Sequence, residues 1–216
     1  MRHQPHLYVP GPWAPDELKT GPDHVKHLDR VLRYPIGDPV SYTDGTGTIG
    51  HGTWTGDGVI RGDEVSVALN PPNLTMAVAP PKSKERQRFI VEKLQEMSVR
   101  RLVWINTERS QVRPRPDRSE SWAASALEQS RGAWLMQVAV AEYPELQNPF
   151  VADVAGMPLA EGGRWVGDVT IAVGPEGGFT ETEIAMFSNH VALGSGVLRT
   201  ETAAISLAAV VLFGAS

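Results

Sequence analysis

Apolar and polar positions along the chain fall into two textures. Up to about residue 70 the apolar residues come in short β-prone pieces, residues 39–43, 48–55 and 64–69, cut by Asp44-Gly45-Thr46-Gly47 and Gly56-Asp57-Gly58. With a helix-like stretch over 23–33 before them, these pieces predict a small β-barrel domain over residues 1–70. Asn70-Pro71-Pro72-Asn73 breaks any regular element and reads as a linker. From Leu74 onward the period changes. Strands over 74–79, 102–106, 135–141, 169–173 and 190–193 alternate with helices over 83–97, 119–131 and 181–188, a short helix near 150–155, and a final helix over 201–213. Such alternation predicts an α/β domain over 74–216, with a mostly parallel sheet and helices on both faces. The final helix is apolar nearly all round, which requires burial in a core or against another subunit.

Two strand-to-helix loops carry the candidate chemistry. The first is Val173-Gly174-Pro175-Glu176-Gly177-Gly178-Phe179, followed by Thr180-Glu181-Thr182-Glu183, a capping box that starts a helix directly after the turn. The second is Leu193-Gly194-Ser195-Gly196-Val197-Leu198-Arg199-Thr200-Glu201-Thr202. Loops of this kind place bare backbone N–H and C=O groups at the carboxyl ends of strands, where α/β sheets bind small ligands. The first loop lacks the lysine and hydroxyl of a phosphate-binding loop, and Glu176 would repel a phosphate. It suits a ligand without phosphates, and an adenosyl group carrying a sulfonium would favour the carboxylate. Taken alone, a glycine-rich turn serves equally well as a tight structural connection.

Composition narrows the classes. The 216-residue chain has no cysteine, which excludes disulfides and thiolate metal sites and fits a cytoplasmic home. Its six histidines show no metal-ligand spacing, so no metal is expected. No apolar run is long enough to span a bilayer, so no membrane is expected either. The formal net charge of −5 argues against coating nucleic acid, so any RNA contact must be focal. Three basic clusters qualify: Lys26, Arg30 and Arg33; Lys82, Lys84, Arg86 and Arg88; and Arg109, Arg113, Arg115 and Arg118.

The two loops, with Lys82, Lys93, Glu96, Thr107-Glu108-Arg109-Ser110 and Glu128-Gln129-Ser130 in the family's order and approximate spacing, resemble the RsmE family of SPOUT (trefoil-knot) methyltransferases. That family methylates N3 of a uridine in small-subunit ribosomal RNA. The resemblance covers nearly the whole chain and implies a PUA-like β-barrel for RNA binding and a knotted SPOUT domain. It also implies S-adenosylmethionine as cofactor, a homodimer, and small-subunit RNA or the assembled subunit as partner. The cofactor is expected beside Thr107, Gly174, Pro175, Glu176, Gly177, Gly178, Leu193, Gly194, Val197 and Leu198. RNA is expected at Lys26, Arg30, Arg33, Lys82, Arg86, Arg109, Arg113, Arg115 and Thr202. Thr202 serves equally well as part of the last helix's cap.

Removing the imide proton builds negative charge on the flanking carbonyls, and Arg199 is the candidate to stabilise it. Glu201 or Glu176 is the candidate proton acceptor, each with a purely structural alternative. Three departures from the family pattern stand out: Gly196 where an arginine is usual, Ser98 where a glycine is usual, and Arg131-Gly132 in reversed order. They leave two other readings open, a SPOUT enzyme acting on another base or a ribose, and a non-catalytic RNA-binding homologue.

Overall fold

The computed structural model describes residues 4–159 and 164–214. The chain divides into two compact units, Met1–Leu69 with Leu127–Leu135, and Asn70–Ala126 with Met136–Ser216.

The first unit contains β1 (His6–Tyr8), β2 (Glu17–Lys19), α1 (Pro22–Lys26), β3 (Pro39–Thr43), β4 (Thr48–Trp54) and β5 (Gly58–Ser66). Its sheet runs β1-β3-β4-β5-β2, parallel only between β1 and β3. The sheet curls around Leu7, Leu18, Val40, Tyr42, Trp54 and Val59. The helix expected over 23–33 is shorter as an α-helix, because His27–Val31 continues α1 as one π turn. The third β piece begins at Gly58 rather than residue 64, and β1 and β2, three residues each, are too short for a periodicity to reveal.

Residues 127–135 complete this unit. The Gly47 N–H donates to the Ala133 carbonyl at 2.9 Å, and the Leu135 N–H to the Gly45 carbonyl at 2.9 Å. The Trp134 ring lies so close to Gly47 that no Cβ fits there, and its Nε1 donates to the Val67 carbonyl at 2.9 Å. His6 is buried, with Nε2 3.2 Å from the Gly132 carbonyl and Nδ1 2.8 Å from the Ser41 hydroxyl. That network suits the neutral ring, with Nε2 as donor and Nδ1 as acceptor. Burial accordingly pushes the imidazole pKa below its usual range.

The second unit contains β6 (Asn73–Val78), α2 (Lys84–Glu96), β7 (Arg101–Asn106), most of α3 (Pro116–Ser130) and β8 (Gln137–Glu142). It continues through β9 (Phe150–Pro158), β10 (Asp168–Val173), α4 (Glu181–Ala185), β11 (Asn189–Ala192) and α5 (Thr200–Phe213). Every pair in its six-stranded sheet, ordered β11-β9-β10-β6-β7-β8, is parallel. One face buries Ala77, Val103, Val151 and Ala172 with Ile184 of α4. Trp104 donates from Nε1 to the Ser119 hydroxyl of α3. α5 packs on α2 and lies over β6 and β10, burying Ala204, Leu207, Ala208 and Val211. The fold class is thus the expected one, a curled PUA-like sheet and a separate parallel α/β sheet.

One element differs in kind. Residues 150–155, expected as a short helix, open the nine-residue strand β9, which pairs with β10 and β11 on its two sides. Phe150 and Val151 sit in register with Ile171 and Ala172, and that pairing overrides the helical preference of the alanines that follow.

Two of the family departures now have a backbone meaning. Ser98 follows α2 with φ of 62°, its N–H bonded to the Gln95 carbonyl and that of Val99 to the Leu94 carbonyl. Arg131 follows α3 with φ of 56° in the same double-bonded arrangement, its N–H reaching the Glu128 carbonyl and that of Gly132 the Leu127 carbonyl. This is the Schellman termination, whose left-handed position favours glycine.

Candidate active site

The loop after β10 is held from several directions. The Gly178 N–H donates to the Pro175 carbonyl at 2.8 Å, closing a turn in which Gly178 adopts φ of 68°. The capping box expected from sequence forms: the Thr180 hydroxyl accepts from the Glu183 N–H, and Glu183 Oε2 accepts from the Thr180 N–H at 2.8 Å. Glu183 is buried, and its Oε1 takes the Glu108 N–H at 2.8 Å, tying the loop after β7 to the loop after β10. Arg109 adds a second tie, donating from Nη1 to the Gly177 carbonyl at 2.7 Å and the Phe179 carbonyl at 3.2 Å. Phe179 stacks on Tyr143 at 4.6 Å, and the Tyr143 hydroxyl donates to the Glu183 carbonyl. Burial and the Glu183 charge push the Tyr143 phenol up to about 12, so it remains a donor.

The loop after β11 closes over the first one. Thr200, the first residue of α5, donates from Oγ1 to the Gly174 carbonyl at 3.0 Å. Sequence reasoning passed over Thr200, although a hydroxyl at the first position of a helix that follows a ligand loop was the available signal. Between the loops lies an open cavity of about 240 Å³, walled by Val173, Phe179, Ile184, Val191, Ala192, Ala203 and Leu207. Of the predicted cofactor residues, Gly174, Pro175, Glu176, Gly178, Leu193, Gly194, Val197 and Leu198 line it. Gly177 and Thr107 do not: Gly177 faces the Arg109 side chain, and Thr107 closes a turn on Ser110. Asp153 and Glu176 are the ionisable side chains among the lining residues, and no basic side chain is among them.

The predicted catalytic and RNA-binding residues separate. Arg199 is exposed, its carbonyl accepts the Ala203 N–H at 2.9 Å, and its guanidinium forms no ion pair or hydrogen bond among the described residues. Glu201 is buried in the first turn of α5, outside the cavity lining, with Arg86 Nε 3.4 Å from its Oε1. Its Oε2 is buried without a hydrogen-bond partner among the described residues. Arg86 also reaches Glu176, Nη1 to Oε1 at 3.8 Å, so one guanidinium of α2 joins the two candidate acids. That geometry makes Arg86 part of the site's framework, where the sequence suggested an RNA contact. Arg109 likewise spends its guanidinium on loop carbonyls. Lys82, Arg113, Arg115 and Thr202 are exposed in the second unit, Arg115 beside Asp117 at 3.4 Å, and Lys26, Arg30 and Arg33 are exposed in the first. No group of three or more histidine, aspartate or glutamate side chains is placed to hold a metal ion among the described residues. None of the described helices is long and apolar enough to cross a membrane.

Residues 69–212 match the family model of the RNA methyltransferase domain. The chain belongs to this RNA methyltransferase family. A curated relative, the ribosomal RNA small subunit methyltransferase E of Synechocystis, is 28% identical over 211 residues, which cover 83% of this chain and 67% of that protein. The protein of the same name from Rickettsia conorii is 50% identical over 44 residues, 18% of each chain. Among solved structures, the ribosomal RNA small subunit methyltransferase E of Neisseria gonorrhoeae, bound to S-adenosyl methionine, superposes with a TM-score of 0.86 at 25% identity. That match covers 96% of this chain and 97% of the other. A Legionella pneumophila structure holding SAM shares the fold at a TM-score of 0.88 and 23% identity, covering 99% and 98%. The RsmE resemblance read from the two loops therefore extends over the fold, and the family's matched span contains both loops and the cavity.

Proposed function

We propose that this chain uses S-adenosylmethionine to methylate N3 of a uridine in small-subunit ribosomal RNA. The cavity carries the reading. It lies at the carboxyl ends of β10 and β11, its contacts come from backbone and apolar walls, and its lining has carboxylates and no basic side chain, which fits a cationic, phosphate-free adenosyl ligand. The SAM-bound relative from Neisseria supports the same choice. Gly174, Pro175, Glu176 and Gly178 would hold it on one side, and Leu193, Gly194, Val197 and Leu198 on the other. When bound, this cofactor supplies an electrophilic methyl group on sulfur.

The chain's own residues then orient and stabilise. Arg199, exposed between the cavity-lining Leu198 and Thr200, is free to pair with the uracil carbonyls as the imide proton leaves. Gly196 offers no second guanidinium, so that task falls on Arg199 within this loop. Glu201, with one carboxylate oxygen held by Arg86 and the other unpartnered, is the proton acceptor in this reading. Exposed Lys82, Arg113 and Arg115 supply phosphate contacts on this unit, and Lys26, Arg30 and Arg33 on the other. The apolar Val197, 88% exposed, and Leu198, 44% exposed, beside the cavity support a homodimer with the site near its interface. The lack of cysteine and a ribosomal substrate support a cytoplasmic location.

The test is nucleoside mass spectrometry after incubating the protein and S-adenosylmethionine with unmodified small-subunit RNA, both free and assembled into particles. N3-methyluridine is the expected product, and the form of RNA that gains it is the substrate. Methyl transfer to a ribose or another base would replace the uridine-N3 assignment, and cofactor binding without any transfer would replace the enzyme with an RNA-binding homologue.

A further inference from the structure

The two carboxylates of the cavity differ in their surroundings. Glu176 has the permanently charged Arg86 as its partner at 3.8 Å. Asp153 of β9 has no arginine or lysine partner among the described residues. Its Oδ1 accepts the Ala155 N–H at 3.0 Å, and its Oδ2 lies 3.4 Å from Nδ1 of His190 on β11. His190 Nε2 donates to the Phe187 carbonyl at 2.8 Å, so the neutral ring has no Nδ1 proton to give Asp153. The Asp153 side chain is only 17% exposed, in a cavity lined, besides Glu176 and Thr200, by apolar side chains and backbone. A carboxylate so placed acts through low-dielectric surroundings that focus its field on a ligand.

We infer that Asp153, held in place by the Ala155 N–H, makes the cavity select a cationic sulfonium ligand over the neutral thioether left after methyl transfer. This rests on the S-adenosylmethionine reading of the cavity. At neutral pH the cofactor carries net charge +1, from sulfonium and ammonium against one carboxylate, whereas S-adenosylhomocysteine carries none. In the transfer the nucleophile's electron pair forms the new bond to the methyl carbon, and the electrons of the broken carbon–sulfur bond stay on sulfur. The ligand's net positive charge disappears in that step, so a cavity carrying the Asp153 carboxylate would hold substrate cofactor more strongly than product and favour exchange.

The test is isothermal titration calorimetry of the full chain with three probes: S-adenosylmethionine, S-adenosylhomocysteine, and sinefungin, which has an amine in place of the sulfonium. For Asp153→Asn the expected result is affinity for the two cationic probes about fivefold lower, with S-adenosylhomocysteine bound within twofold of the native value. Parallel loss of all three probes in Asp153→Asn, or unchanged affinity for all three, would overturn the inference and leave the cofactor assignment standing. If the native protein binds none of the three, the cofactor assignment fails and the inference falls with it.

Discussion

His6 shows how a single buried side chain sets a pH response. Its folded pKa is lowered by burial below the usual 6.5, so between those two values the unfolded chain binds the extra proton and the folded chain does not. Stability is fully present above pH 6.5 and falls as the pH drops through this window. Thermal melting between pH 7.5 and 5.5 should show the decline, and His6→Gln should flatten it while lowering the melting temperature at pH 7.5. Ser98 works in the opposite sense. At φ of 62° its Cβ is strained where glycine is not, so Ser98→Gly should raise stability by about 0.5–1 kcal/mol, seen as a higher urea midpoint with unchanged slope. The Arg199 side chain makes no hydrogen bond or ion pair among the described residues, and Leu198 and Thr200 on either side of it line the cavity. Arg199→Ala should therefore retain cofactor affinity and lose at least about tenfold in turnover; equal losses in both would remove the charge-stabilising role.

Among the elements, α4 is short enough that its ends decide whether it exists. Five residues cannot sustain a helix by propensity, so the Thr180–Glu183 box and the Glu108 N–H on Glu183 hold it. Glu183→Ala removes the acceptor for two backbone N–H groups and should cost about 2–3 kcal/mol by chemical denaturation. Cofactor affinity should fall with it, because the same carboxylate anchors the loop that lines the cavity. The box was legible in Thr180-Glu181-Thr182-Glu183, as were β3, β6, β10 and α5 within a residue or two, because local period and end signals determine them. β9 was not legible: its pairing partners β10 and β11 come later in the chain, and Val151-Ala152-Asp153-Val154-Ala155 has no helical or strand period of its own. For the site, glycines and backbone loops could be read directly. The Arg86 bridge to Glu176 and Glu201 could not, since it joins α2 to residues about a hundred positions away. Asp153 escaped for the same reason as the strand that carries it.

At the scale of the whole molecule, the chain leaves its first unit after Leu69 and revisits it over Leu127–Leu135 before finishing the parallel sheet. The expected single boundary near residues 70–73 thus accounts for one of three passages. Leu127 and Ala133 are buried, and the carbonyls of Gly132 and Ala133 take hydrogen bonds from His6 and Gly47. A fragment spanning residues 70–216 should therefore melt several degrees below the full chain and bind a hydrophobic dye, where a cut between independent domains would leave the larger piece unchanged. Because the smaller unit is written in two separate stretches of the gene, no single insertion or deletion can add or remove it whole. Recombination at one junction would deliver a sheet without its closing segment, so exchanging the smaller unit in a chain built this way takes two coordinated events or substitution in place.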